Sequence, residues 1–225
     1  MNILIIGANG FTGRRILNDL VAREIYNITA CSLRNDIQSG DGYQFIRADI
    51  RNASEVRALF KEVCPDVVIN TSALSVPDFC ETHHNEARAT NITAVEHLAR
   101  ACEQYGSRFI HLSTDFVFDG RTDRLYTEED EPNPVNYYGI TKLEGEERVA
   151  ECCGNYAIVR VVVVYGKALP GQHGNIVQLV ANKLRSGETI RVVSDQWRTP
   201  TFVGDISHAV EQLMHHPRNG IYHIC

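Results

Sequence analysis

The chain is expected to fold as an α/β protein, a Rossmann-like doubly wound parallel sheet with helices on both faces, and three observations predict it. Short β-branched runs alternate with longer amphipathic stretches along nearly the whole length. A Gly-x-x-Gly-x-x-Gly turn, Gly7-Ala8-Asn9-Gly10-Phe11-Thr12-Gly13, follows the first apolar run at once and leads into a helical pattern. No repeat, low-complexity tract or linker divides the 225 residues, a length that suits one large domain or two small ones.

The elements follow in order. Residues 2–6 are apolar from Ile3 to Ile6, as a strand buried on both faces must be, and the glycine turn ends them. A helix is expected over 12–22, strands over 27–33 and 43–46, a helix over 53–63 and a strand over 66–70. The long amphipathic stretch 85–105 reads as one helix, 108–112 as the fifth strand, and 137–152 as the helix that follows it. Residues 120–134, charged and closed by Pro132 and Pro134, read as a long loop over the strand ends. A strand over 156–164, a helix over 175–186 and a strand over 189–193 come next. Val203, Ile206, Ala209, Val210 and Leu213 fall near one face of a helix over 202–216, and the apolar run 220–225 opens another strand. That run stops inside its pattern, so the C-terminal substrate-binding part is expected to be small and truncated. The predicted division is 1–166 for nucleotide binding and 167–225 for a partial substrate-binding region packed on the same domain.

Charge and cysteine usage narrow the function classes. A net charge of −6 with scattered Lys and Arg gives no basic stripe, which speaks against nucleic acid as a partner. The first apolar run is too short for a membrane span or a signal peptide, so no membrane association and a cytoplasmic location are expected. Seven cysteines, an odd number with no Cys-x-x-Cys pair, predict reduced thiols. The doublets His83-His84 and His215-His216 lack acidic or cysteine companions at ligand spacing, so no metal is expected.

The glycine turn is placed to receive a pyrophosphate on the backbone N–H groups of a helix N-terminus. Gly7, Asn9, Gly10, Phe11, Thr12 and Gly13 are therefore predicted to contact a nicotinamide dinucleotide. At the tip of the second strand an acid would bond the ribose hydroxyls of NAD, whereas an arginine would pair with the 2′-phosphate of NADP. The run Ala30-Cys31-Ser32-Leu33-Arg34 has no acid before Asp36, so Arg34 favours NADP over NAD unless it is an ordinary surface arginine. Asp49 and Ile50, after the third strand, are placed for the adenine edge, with helix capping as the other role open to Asp49. Ser72, Ala73 and Ser75, after the fourth, offer small side chains where the cofactor must lie close to backbone.

The chemistry rests on Tyr138 and Lys142. They stand four residues apart, hence on one face of a helix, and the cation is expected to lower the phenol's pKa until it can exchange a proton near neutrality. Lys142 is also expected to hold the nicotinamide ribose. Thr114, at the carboxyl end of the fifth strand, is placed to donate a hydrogen bond to a carbonyl oxygen as negative charge develops on it. The reaction predicted is reduction of a carbonyl by hydride transfer with Tyr138 as the acid.

The strings His111-Leu-Ser-Thr-Asp-Phe-Val-Phe-Asp-Gly120 and Tyr138-Gly-Ile-Thr-Lys-Leu-Glu-Gly-Glu146 resemble the extended short-chain dehydrogenase/reductases, more narrowly the dTDP-4-dehydrorhamnose reductase group. The likeness covers nearly the whole chain. It implies a triad of Thr114, Tyr138 and Lys142 and a nucleotide-activated keto-sugar as substrate. Asp115, Arg198 and Thr199 are its candidate contacts, Arg198 and Thr199 lying in a loop open to a substrate phosphate or nucleotide unless that loop is an ordinary turn with a proline. Where the group carries a tryptophan close to the sugar, this chain has Val161-Val162-Val163-Val164, which cannot stack on a ring in that way. Two other functions fit related sequences: a sugar-nucleotide epimerase, and a non-catalytic NADP-binding regulatory subunit like that of methionine adenosyltransferase. A dehydratase of the superfamily would need Thr-Asp-Glu, and Phe116 stands where the glutamate would. Ala94, Val95 and Leu98 suit either a core or a homodimer interface.

Overall fold

The protein is described here by a computed structural model covering residues 1–169, 172 and 174–225. The described residues form one seven-stranded sheet, parallel at every pairing, with the order β3-β2-β1-β4-β5-β6-β7. In chain order the elements are β1 Asn2–Ile6, α1 Phe11–Val21, β2 Asn27–Ser32, β3 Gln44–Arg47, α2 Ala53–Val63, β4 Val67–Asn70, α3 Pro77–Cys80, α4 His84–Arg88, α5 Ala94–Tyr105, β5 Arg108–Thr114, α6 Tyr137–Cys152, β6 Tyr156–Val161, α7 Ile176–Arg185, α8 Val203–His215 and β7 Gly220–Ile224.

Alternate side chains of each strand feed two cores. On one face Leu4, Val68, Phe109 and Ile158 meet Leu59, Phe60, Leu98 and Val149 from α2, α5 and α6. On the other Ile3, Ile5, Ile69 and Ile110 meet Ile16, Leu17 and Leu20 of α1 and Ile206, Val210 and Leu213 of α8. Residues 203–224 thus share the core and the sheet of the N-terminal part. Ala94, Val95 and Leu98 are fully buried in the first core, which settles them as core residues. The chain leaves β3 at one edge and re-enters the sheet on the far side of β1, so the ends of β1 and β4 diverge and open a crevice between them.

Three expectations are corrected. Residues 189–193 do not form a strand; Val192 and Val193 are 70% and 62% exposed, and it is β7 that pairs with β6. The sixth strand stops at Val161 rather than running on to 164. The helix expected over 85–105 is broken by a π-helical turn, Ala89–Thr93, between α4 and α5. Such turns form where a side chain or carbonyl is needed out of α register, and this one carries Asn91.

Candidate active site

The crevice is lined first by the glycine turn. Gly7 has φ +81°, and a Cβ on Gly13 would stand 2.4 Å from the Gly7 carbonyl oxygen and 2.5 Å from Oγ1 of Thr71, so only glycine lets α1 press onto β1 and β4 this closely. Thr71 holds the same corner by donating to Ile6 O at 2.9 Å. Gly10 caps α1 with extended backbone and supplies no side-chain cap, which leaves the N–H groups of Phe11, Thr12 and Gly13 directed out of the helix. That is the donor set a pyrophosphate requires, and the residues present fit a dinucleotide. Gln172, which sequence reasoning missed, lies against the turn and donates to Asn9 O at 3.1 Å and Gly10 O at 3.0 Å.

At the β2 tip the structure redistributes the expected roles. The Asn9 side chain ties the glycine turn to the β2–β3 loop, donating to Asn35 O at 2.9 Å and accepting from Arg14 at 3.0 Å. Its amide is occupied by protein groups. Arg34 is exposed, its main-chain oxygen is bonded by Asn9, and its guanidinium joins no ion pair among the described residues. Asp36, the nearest acid, is taken up by the buried Arg14, by Gln38 N–H at 3.1 Å and by the Tyr43 hydroxyl at 2.6 Å. These bonds outweigh partial burial and hold its carboxyl below the usual range. An acid so engaged is a poor ribose ligand, and a free arginine beside it suits a 2′-phosphate.

Asp49 and Ile50, after β3, are engaged with the protein. Both carboxylate oxygens of Asp49 are held by the Arg51 guanidinium, at 2.9 and 2.6 Å, and this pair keeps the acid below its ordinary range. The cap of α2 is Asn52, whose side chain accepts from Ser54 N–H at 3.0 Å. Ile50 is 8% exposed and belongs to the core. Ser72 and Ala73 flank the crevice, half-buried, while Ser75 is exposed.

Tyr138 lies within hydrogen-bond reach of Thr114, and Lys142 follows it by one turn of α6. Asn136 caps α6 by accepting Gly139 N–H at 2.7 Å, and Glu81 accepts Tyr137 N–H at 2.6 Å. A Cβ on Gly139 would stand 2.2 Å from Phe116 O, so this glycine is what lets α6 approach the 3-10 turn after β5 and bring Tyr138 to Thr114. Tyr138 is 8% exposed, with Phe116 edge-on to its ring at 5.5 Å between centroids. Thr114 accepts Phe116 N–H at 3.3 Å and donates to Asp115 at 3.2 Å. Ser113, beside it in sequence, is buried with no partner for its hydroxyl among the described residues.

The electrostatics differ from expectation. Burial dominates the phenol and raises its pKa, Thr114 lowers it through a hydrogen bond, and Asp115 raises it further. Lys142 does not offset this, because its ammonium is directed at the sheet, donating to Leu112 O at 2.7 Å and lying 3.2 Å from Nε2 of His111. Burial also brings Lys142 down to about 8.

Behind the triad stand further polar residues. His111 is fully buried between Lys142 and Asn70. Asn91, from the π turn, clamps the loop after β4 by accepting Leu74 N–H at 2.8 Å and donating to Leu74 O at 3.1 Å, and it reaches Thr141 of α6 at 3.0 Å. Glu146, one turn beyond Lys142, is paired with Arg160 of β6 at 2.7 Å, both nearly fully buried.

The segment after β6 covers the strand ends. Arg198 pairs with Asp115 and lies 4.7 Å above the Phe116 ring. Asp115, mostly buried, is pushed up by desolvation and pulled back by Arg198. Thr199 is half-buried, while the Thr201 hydroxyl is committed to Val162 O at 2.9 Å and Ile224 O at 3.0 Å. Trp197 is 95% exposed. Val163, among the valines that replace the tryptophan, takes φ +37°, a strained value for a β-branched residue.

Among the described residues no helix is long and apolar enough to cross a membrane, and no group of three or more His, Cys, Asp or Glu side chains is placed to hold a metal ion.

The whole chain, residues 1–225, matches the model of the RmlD substrate binding domain family. It is 34% identical to the probable low-salt glycan biosynthesis reductase Agl14 of Haloferax volcanii, over all of this chain and 74% of that protein. It is 31% identical to methionine adenosyltransferase 2 subunit beta of Danio rerio, over 98% of this chain and 67% of that protein. Among solved structures it resembles the dTDP-4-dehydrorhamnose reductase of Bacillus anthracis in complex with NADP, with a TM-score of 0.82 and 29% identity over 99% of this chain and 73% of that one.

Proposed function

We propose, from the premise that this chain belongs to the RmlD substrate binding domain family, that Tyr138, Lys142 and Thr114 reduce the keto group of a nucleotide-activated sugar. The chain is an NAD(P)-dependent oxidoreductase of the short-chain dehydrogenase/reductase type, like the dTDP-4-dehydrorhamnose reductases it resembles. The observation that carries the assignment of residues is the buried Tyr138–Lys142 pair on α6, held against Thr114 at the end of β5 by the close approach at Gly139.

The nicotinamide, when bound, supplies the hydride. The Gly10–Gly13 turn would receive the pyrophosphate on its N–H groups, Arg34 the 2′-phosphate of NADP, and Lys142 the nicotinamide ribose. Tyr138 donates its phenolic proton to the substrate oxygen as charge builds there, and Thr114 donates a hydrogen bond to the same oxygen. A buried phenol disfavours the phenolate, so Tyr138 holds its proton until a basic oxygen is presented to it. Residues 167–225 are assigned as the substrate-binding region, with Arg198 and Thr199 as contacts beside Asp115.

Tyr138→Phe removes the proton donor and keeps the ring. NADPH oxidation with a dTDP-4-keto sugar is expected to fall by about a thousandfold or more, with NADPH affinity, read by fluorescence titration, within about twofold of the parent. A variant at parental rate refutes the assignment. A parent that binds NADPH tightly yet turns over no keto-sugar nucleotide would move the chain to the regulatory class, beside the methionine adenosyltransferase subunit.

A further inference from the structure

One buried polar chain, Ser72–Asn70–His111–Lys142, has its proton positions fixed by its own hydrogen bonds. Oδ1 of Asn70 accepts both Ser72 N–H, at 3.1 Å, and the Ser72 hydroxyl, at 2.7 Å. Its Nδ2 therefore points the other way and donates to Nδ1 of His111, 3.0 Å distant. Nδ1 is thereby an acceptor and carries no proton. The ring is fully buried beside an amine, and both push its proton affinity well below the ordinary imidazole range. A neutral ring without a proton on Nδ1 carries it on Nε2.

Nε2 lies 3.2 Å from Nζ of Lys142, and Nζ also donates to Leu112 O at 2.7 Å. An ammonium offers only donors, so His111 Nε2–H and the ammonium oppose one another. A neutral amine keeps one N–H on Leu112 O and turns its lone pair to Nε2–H, satisfying both.

We propose that His111, locked by Asn70 as the Nε2–H tautomer, is a positioning residue that sets the protonation of Lys142 by favouring its amine over its ammonium. The proposal deepens the reading of Lys142 given above and is measured on Lys142 itself. The other groups around Nζ are few. On α6, Tyr138 is a neutral phenol and Glu146 raises the proton affinity of Lys142, but Glu146 is shared with Arg160 of β6, which bonds it at 3.0 and 2.7 Å. Beyond Thr114, Asp115 is paired with Arg198. On β5 the contacts are His111 and the Leu112 carbonyl alone. The result is a lysine that exchanges its proton close to physiological pH, at the position expected to hold the nicotinamide ribose.

The test has two arms. In the unaltered protein, nitrogen-15 NMR of the imidazoles reports the tautomer of His111; Nε2–H is expected, and Nδ1–H or an imidazolium overturns the proposal. In protein carrying carbon-13 at lysine Cε, with Lys142 identified by its loss in Lys142→Met, the resonance is followed from about pH 6 to about pH 11. His111→Gln places an acceptor before Nζ and is expected to raise the Lys142 midpoint by about one unit or more. Asn70→Asp takes the Nδ1 proton, turns Nε2 into an acceptor and is expected to raise the midpoint as well, by less when His111→Gln is already present. A midpoint unmoved by His111→Gln overturns the proposal. Turnover enters neither arm, so this proposal and the role of Tyr138 stand or fall separately.

Discussion

Helix α6 with strand β5, and the segment from Val162 to Pro200, face the same crevice and are built in opposite ways. Every residue of β5 is buried, and α6 buries Lys142 and Glu146 against Leu112 O and Arg160. In α7 no described residue is buried, and Ile176, Val177, Leu179 and Leu184 are 46% to 63% exposed. The first region holds most of its polar groups through a buried network, the Ser113 hydroxyl excepted. The described residues of the second are tethered at points, among them Gln172 on the glycine turn, Asn175 on Gly166 O at 2.7 Å, and Arg198 on Asp115. Groups that move a proton must be fixed to a fraction of an ångström, which takes a dense surround, while a segment that meets a variable ligand gains from being held at few points. Stability and chemistry should therefore be inseparable in the first region and separable in the second.

The largest expected effect tests the first half of that statement. Glu146→Ala leaves the Arg160 guanidinium, 3% exposed, without the carboxylate it is hydrogen-bonded to. The expected loss is about 3–5 kcal/mol, read as a lower urea midpoint with unchanged slope. A loss under about 1 kcal/mol would mean that water reaches Arg160 and that α6 is less tightly held than its burial indicates.

Lys142→Met comes next, and here the sign depends on pH. The folded protein holds Lys142 near 8, below the ordinary 10.5. Between those values the unfolded chain binds more protons, so parental stability rises as pH rises through that window. The Met variant lacks this rise. Its stability relative to the parent is therefore greatest below pH 8 and declines towards pH 10.5, by on the order of 3 kcal/mol. Denaturation of both proteins at several pH values measures the difference, in which groups common to the two cancel. A constant difference would show that Lys142 has an ordinary proton affinity.

How much of this was legible in the sequence follows from the same contrast. The apolar runs of β1, β4 and β5, the glycine turn, and the Tyr138–Lys142 spacing are local patterns, and each is where it was expected. His111 was visible only as a letter in a motif, because its meaning comes from Asn70, 41 residues away, and from Lys142, 31 residues away. Arg14 and Asp36 are likewise 22 residues apart. The acid at Asp49 was in the right place with its carboxylate already given to Arg51. Residues 189–193 have strand composition but pair with no strand, and β-propensity describes fit to a sheet rather than a preference of the backbone alone.

The smallest expected effect on stability is also the one that separates the two regions most cleanly. Arg198→Ala removes a tether from the exposed segment and the cation beside Asp115. The pair is partly solvated, so the loss of stability should be about 1 kcal/mol or less. The effect on catalysis should be larger. Arg198 lowers the proton affinity of an acid that burial raises, so without it Asp115 takes up a proton at higher pH than in the parent. Asp115 accepts the single hydroxyl hydrogen of Thr114, beside Tyr138, and once protonated it releases that hydrogen and donates to Thr114 instead. The acid-side inflection of kcat/KM is therefore expected to move to higher pH, and loss of the proposed substrate contact at Arg198 should lower kcat/KM at neutrality by about tenfold. NADPH affinity should be unchanged, because the dinucleotide contacts proposed above lie on the glycine turn and at Arg34. If activity and stability instead fell together, by several kcal/mol on the scale of the buried pair, the segment would be part of the rigid frame.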